Sequence, residues 1–361
     1  MFKLTFFLFL LLGSLFANSE YILVDEYLKD KQNRSTFDNF ITTIKNPSIP
    51  ITKQQTKPVK IYMIYPGEQI SDYWRRSKSS FEARMKELNI KYQLIDYFTK
   101  PTIQLGKQAN ALFDALQHDT DYLIFTLDAK KHYKFISVIL NKNKPKLILQ
   151  NITTPLKSFN SKQPLLYDGF DHVIGSKILA DHYIKTEKKG AKYAVMYGPV
   201  GYVSSMRGDQ FIKYISKNSE FKLLDSYYTD FNKKKAKLAT IDLVENHKDI
   251  DFIYACSTDI ALGVIEGLKI TKKLGKIKVN GWGGGSSEID ALLKKELDFT
   301  VMRINDDNGV AMAEAIKYDL EGKSSKIPLI FSGEFKLIKK DITTKELKGL
   351  KKRAFRYSGA Q

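Results

Sequence analysis

Two arginines stand apart in this chain. Of its 58 lysines and arginines only eight are arginine, and between Arg84 and Arg353 they occur twice, as Arg207 and Arg303. A chain that takes its generic positive charge from lysine keeps the planar, five-donor guanidinium for places where geometry matters. Both tryptophans, Trp74 and Trp282, fall in turns expected to follow strands. Gln69, Ser71, Asn151, Thr258 and Asp259 fall at comparable strand ends. Aromatic faces flanking a small ring, with fixed donors and acceptors around it, are what a polyhydroxylated ligand requires.

The same turns also carry groups of the types used in catalysis. Asp259, Asp306 and Asp307 lie at strand ends, where acids and bases work. Each also opens a helix, where aspartate is favoured for structural reasons. The histidines, at 118, 132, 172, 182 and 247, include no pair at metal-ligand spacing, and only His172 comes near a strand-end turn. Neither a nucleophilic triad nor a zinc site is indicated. The run Gly281-Trp282-Gly283-Gly284-Gly285 lacks both a Gly-Lys-Ser/Thr ending and GxGxxG spacing, which excludes the usual phosphate loops. It is expected to let backbone approach a ligand and to feed a helix capped by Ser286 or Ser287. Binding, not catalysis, is the expected activity, with no cofactor and no metal.

The elements that must position these groups alternate. Ile61 to Tyr65 shows no two-fold alternation, as expected of a strand buried on both faces of a parallel sheet. Ser71 is placed to cap the next helix, whose Trp74, Phe81, Met85 and Leu88 recur at helical spacing. Further strands are predicted at 92–97, 122–127, 147–150, 193–197, 223–228, 252–256, 277–280 and 299–302. Helices are predicted at 105–116, 132–140, 260–268, 291–297, 310–320 and 343–356. Such βαβ alternation predicts parallel sheets with right-handed crossovers. In open sheets of this kind ligands bind beyond the carboxyl ends of the strands.

The 361 residues, 43% hydrophobic, are enough for two cores. Lys3, a nearly continuous apolar run from Leu4 to Leu12 and the small residues before Ser19 read as a secretory signal peptide, residues 1–19. Export to a periplasm is the expectation, because the single cysteine, Cys256, leaves no internal disulfide to suit an extracellular setting. The formal charge of +18 is spread in short lysine runs without aromatic interleaving, so no nucleic-acid partner is expected. Residues 20–56 read as an arm over the first lobe. Residues 57–154 with 305–325 are expected to form that lobe, and 155–304 with 326–361 the second.

Long words in the chain carry a resemblance: YPGEQISDYW, DYLIFTLD, KLILQNITTP, DFIYACSTDIALG, NGWGGGSSEIDA, VMRINDDNGVAMAEAI and KKRAFRYS. They resemble the periplasmic autoinducer-2 receptors of the ribose-binding-protein-like, type I periplasmic binding protein family. The resemblance implies an α/β fold of two Rossmann-like lobes joined by three crossovers, with a cleft that closes on its ligand. It implies the quorum-sensing signal autoinducer-2, a furanosyl borate diester, as that ligand. It assigns contacts to Gln69, Ser71, Trp74, Asn151, Arg207, Thr258, Asp259, Trp282 and Arg303. Arg207 and Arg303 would flank the borate, while Asn151, Thr258 and Asp259 would bind hydroxyls. The implied partner is a membrane sensor histidine kinase of LuxQ type, with a permease or chemoreceptor as alternatives. A ribose-like sugar carrier of a transporter is the competing reading.

Overall fold

The computed structural model describes residues 20–127, 130–142 and 144–359; the expected signal peptide lies outside them. The arm carries α1 (Lys31–Lys45). The first lobe then runs through β1 (Val59–Tyr65), α2 (Tyr73–Glu87), β2 (Tyr92–Phe98), α3 (Leu105–Gln117), β3 (Tyr122–Thr126), α4 (Lys130–Leu140), β4 (Lys146–Gln150) and β5 (Leu166–Gly169). The second lobe follows with α5 (His172–Thr186), β6 (Lys192–Tyr197), α6 (Gln210–Asn218), β7 (Lys222–Tyr228), α7 (Lys233–Asn246), β8 (Phe252–Ala255), α8 (Thr258–Ile270), β9 (Lys278–Gly283), α9 (Ser286–Leu293) and β10 (Phe299–Arg303). α10 (Asp306–Leu320) and β11 (Ile330–Ser332) return to the first lobe, and β12 (Phe335–Lys339) and α11 (Thr344–Ala354) end in the second.

Each lobe is built on a six-stranded sheet, in the orders β11-β5-β4-β3-β1-β2 and β12-β10-β9-β8-β6-β7. Every pairing is parallel except β10 with β12, which is antiparallel. In β1 alternate residues serve two cores. Ile61, Met63 and Tyr65 pack with Phe81 of α2 and Val310 of α10. Tyr62 and Ile64 pack with Leu112 of α3 and Ile139 of α4. A strand covered by helices on both sides needs apolar residues at every position, hence the unbroken run in the sequence.

The lobe boundaries differ from those expected at 155 and 326. β5 pairs with β4 through Ile148↔Leu166 and with β11 through Ile330↔Tyr167, so both short strands complete the first sheet. Their backbone groups are paired within that sheet. The chain therefore crosses between lobes after Gly169, between Arg303 and Asp306, and between Ser332 and Phe335. These crossovers lie side by side: Gly333 N donates to Gly169 O at 2.8 Å, and Ile304 N donates to Glu334 O at 3.0 Å.

Two helix starts also move. α2 has Asp72, not Ser71, at its N-cap position. α9 begins at Ser286 behind an extended Gly285 and ends at Leu293, where 291–297 was expected. Lys295, at φ +60°, turns the chain before Leu297. The arm lies against the first lobe, with Val24, Tyr27 and Phe37 packed on Ile330 of the edge strand β11. That contact covers an edge that would otherwise be open to pairing with another chain.

Candidate ligand-binding cleft

The carboxyl ends of the two sheets face one another across a cleft with a cavity volume of about 40 Å³. Gln69, Ser71, Trp74, Asn151, Arg207, Thr258, Trp282 and Arg303 all line it. Tyr73, Ser257 and Phe231 line it as well, and the sequence had not singled them out. Tyr73 directly precedes Trp74 in α2, and its apolar body reads in sequence as part of a core.

Trp282 is fully buried at the end of β9 and donates from Nε1 to the Tyr254 hydroxyl at 3.1 Å. The glycine run behind it is shaped by Glu288, a buried carboxylate that accepts from Trp282 N at 2.9 Å and Gly284 N at 2.8 Å. Gly283 adopts φ +142°, and a Cβ there would stand 3.2 Å from Arg303 Nη2. The glycine thus admits both the turn and the guanidinium. Across the cleft, Trp74 packs on Tyr65 with ring centroids 4.7 Å apart.

Both arginines stand against aromatic rings. Arg207 lies 3.8 Å from the Trp282 ring centroid, and Arg303 lies 4.3 Å from Tyr73 and 5.3 Å from Trp282. Arg207 donates from Nη1 to Cys256 O at 2.9 Å and from Nε to His172 Nδ1 at 3.3 Å. Arg303 makes one long bond, from Nη2 to Trp282 O at 3.4 Å, and its buried Nε has no partner among the described residues. Neither guanidinium is ion-paired with a carboxylate among those residues. Burial, and then the charge of Arg303, push Arg207 down to about 9. Burial lowers Arg303 too. A guanidinium stays charged at neutral pH, so the cleft holds two desolvated positive charges.

Asp259 is not among the residues lining this cavity. Its carboxylate reaches the first lobe instead, accepting from Ile70 N at 3.0 Å and Ser71 N at 3.2 Å. A second bridge lies nearby. Asp72 accepts from Ser286 N at 3.1 Å and Ser286 Oγ at 2.9 Å, while Arg76 Nη2 donates to the same hydroxyl at 2.9 Å. Ser286, expected as a cap, is therefore an interlobe contact. Burial raises Asp72, but Arg76 and Ser286 outweigh it and hold the carboxyl below its usual range.

The other carboxylates considered for catalysis hold the C-terminal segment. Asp306 accepts from Tyr357 N at 2.7 Å and Ser358 N at 2.8 Å, and Asp307 pairs with Arg353 at 2.6 Å and Arg356 at 3.1 Å. They are occupied away from the cleft. No group of three or more His, Cys, Asp or Glu side chains able to hold a metal ion occurs among the described residues.

A family model described as a periplasmic binding protein domain matches residues 61–324. The chain is 26% identical over 169 residues to the ribose import binding protein of Salmonella typhimurium, covering 46% of this chain and 56% of that relative, so the match spans about half of the relative's length. It is 23% identical over 278 residues to the D-allose-binding periplasmic protein of Escherichia coli, covering 75% of this chain and 88% of the relative. In fold it is similar to a periplasmic solute binding protein from Actinobacillus succinogenes solved with bound D-allose, at TM-score 0.68 and 16% identity over 79% of this chain and 98% of the other. Two facing parallel-sheet lobes, three adjacent crossovers and a family match over most of the chain lead to one conclusion: the chain belongs to the periplasmic binding protein family.

Proposed function

We propose that this chain is an exported, periplasmic receptor of LuxP type that captures autoinducer-2 in its borated form. The observation carrying this reading is the pair of buried guanidiniums, Arg207 and Arg303, with no carboxylate to neutralise them among the described residues. A neutral sugar would leave both charges unmatched, whereas a borate diester offers one anionic centre and several oxygens. Each charge-assisted hydrogen bond to it contributes about 1.5 to 3 kcal/mol. Gln69, Ser71, Asn151 and Thr258 supply directional polar groups around the cavity, and Trp74, Trp282 and Tyr73 supply flat walls. Boron enters only as part of the ligand, and no cofactor or catalytic turnover is called for.

Ligand touching both lobes favours the closed state in proportion to its differential affinity. A membrane partner then reads the closed form. A sensor histidine kinase of LuxQ type is the proposed reader, and a permease or chemoreceptor would use the same surface change.

The second reading is a carrier of a ribose- or allose-like sugar, favoured by the names of the relatives. One experiment separates the two. The small molecule released by heat from purified protein is analysed for boron and tested on an autoinducer-2 reporter, alongside titration with ribose and allose. Boron with reporter activity supports the signal receptor. A boron-free sugar with tight binding of ribose or allose rejects it.

A further inference from the structure

His172 is the one histidine near a strand-end turn, and the contact set implied by the family resemblance leaves it out. It is the first residue of α5, immediately after the first crossover, and the Asp171 carboxylate caps the helix by accepting from Val173 N at 2.8 Å. The imidazole is 1% exposed. Nδ1 accepts from Arg207 Nε at 3.3 Å, and Nε2 stands 3.1 Å from Asn151 O. A guanidinium cannot accept, so Nδ1 must be bare and Nε2 must carry the proton that Asn151 O receives. The ring edge also meets Trp282, with centroids 5.4 Å apart.

Its neighbours fix the rest of Arg207. Ser176, one turn further along α5, donates to Arg207 O at 3.0 Å, and Tyr254 donates to the same carbonyl at 3.1 Å. The arginine sits in a π turn, Ser205–Asp209, a helical irregularity that often marks functional sites. Asn151, at φ +66°, directly follows the first-lobe strand β4. His172 is thus the side chain joining a first-lobe residue of the cleft to the second-lobe cation.

We infer that His172 is a positioning residue of the binding site, a one-proton strut that aims the Arg207 guanidinium at the ligand and ties it to Asn151 at the hinge. This rests on the reading of the cleft as an anion-accepting site. Without the strut, Nε of Arg207 loses its acceptor and Asn151 O its donor, and the long side chain is free to leave the Trp282 face. Glutamine offers both an acceptor oxygen and a donor nitrogen at similar reach, so it should restore the bridge where leucine cannot.

Two measurements test this on the full mature protein. In the ligand-free state, the NMR signal of the Arg207 Nε–H, assigned by its loss in Arg207→Met, should vanish or broaden in His172→Leu and return in His172→Gln. A signal that persists unchanged in His172→Leu overturns the strut. In titrations with synthetic autoinducer-2 in borate, His172→Leu should bind more than tenfold more weakly and His172→Gln within about threefold of wild type. In an Arg207→Met background His172→Leu should cost less than twofold more, because a positioning residue has nothing left to position. Full additivity there, or wild-type affinity in His172→Leu with a normal melting temperature, overturns the proposal. Failure of the wild type to bind synthetic autoinducer-2 rejects the proposed ligand, and the NMR comparison still decides the strut.

Discussion

The Asp259 carboxylate of the second lobe accepts the backbone N–H groups of Ile70 and Ser71 in the first, at 3.0 and 3.2 Å. The family resemblance assigns this residue to a ligand hydroxyl, but the structure turns it into a clasp between lobes. Burial raises its pKa and the two amides pull it partly back. Asp259→Ala is expected to weaken ligand binding by about tenfold, roughly 1.4 kcal/mol, because the carboxylate ties the two lobes together beside the cleft. Small-angle scattering of the ligand-free variant should show a larger radius of gyration than wild type. Loss of affinity with an unchanged ligand-free radius would return Asp259 to the role of a direct ligand contact.

Arg303 is predicted to trade stability for binding. It is buried beside Arg207, and among the described residues its Nε is unpartnered and its one hydrogen bond is 3.4 Å long. Replacing an uncompensated buried charge by an apolar side chain of similar length is often stabilising. Arg303→Met should therefore raise the melting temperature of ligand-free protein while weakening ligand binding by more than tenfold. Differential scanning calorimetry with and without ligand reads both effects. A lower ligand-free melting temperature would show that the guanidinium is already compensated.

The chain has two tryptophans, and both line the cleft. Ligand saturation should change the tryptophan emission spectrum, and Trp74→Phe and Trp282→Phe should each remove part of the change. Gly175 offers an indirect control. A Cβ there would stand 2.8 Å from Trp282 Cζ2 and 2.9 Å from Phe335 Cζ, closer than atoms pack. Gly175→Ala should push the indole out of place, costing about 1 to 3 kcal/mol of stability. It should also shift the emission of ligand-free protein, although residue 175 does not line the cleft. An unshifted spectrum would mean that the indole has room to yield.

Much of the cleft is legible in the sequence because it sits where alternating strands end, and strand ends are local signals. Trp74, Arg207, Trp282 and Arg303 are found that way. β5 and β11 are not, since four and three residues carry too little pattern and their pairing is decided by distant partners. Asp259 shows a different limit: its type and place in the chain are visible, but the direction of its carboxylate depends on how closely the other lobe approaches. His172 reads in the sequence only as the one histidine near a strand-end turn, and its place between Asn151 and Arg207 depends on residues distant in the chain.

That ring gives a prediction for the dependence of stability on pH. Burial, and then the charges of Arg207 and Arg303, hold His172 well below its ordinary range, against a partial pull from Asn151 O. The unfolded chain takes up a proton on this histidine near pH 6.5, and the folded chain does not. Its contribution to stability is therefore complete above about pH 6.5 and is lost as the pH falls below it, by up to about 1.4 kcal/mol per unit. His172→Gln has no such proton to refuse. Denaturant unfolding of the two proteins should give a stability difference that is constant from pH 8 to 7. Between pH 6.5 and 5.5 it should shift in favour of the variant by about 1 kcal/mol, with every other titrating group cancelling in the comparison. Parallel curves down to pH 5 would mean that the folded protein admits a proton at His172, which requires the imidazole to have let go of Arg207.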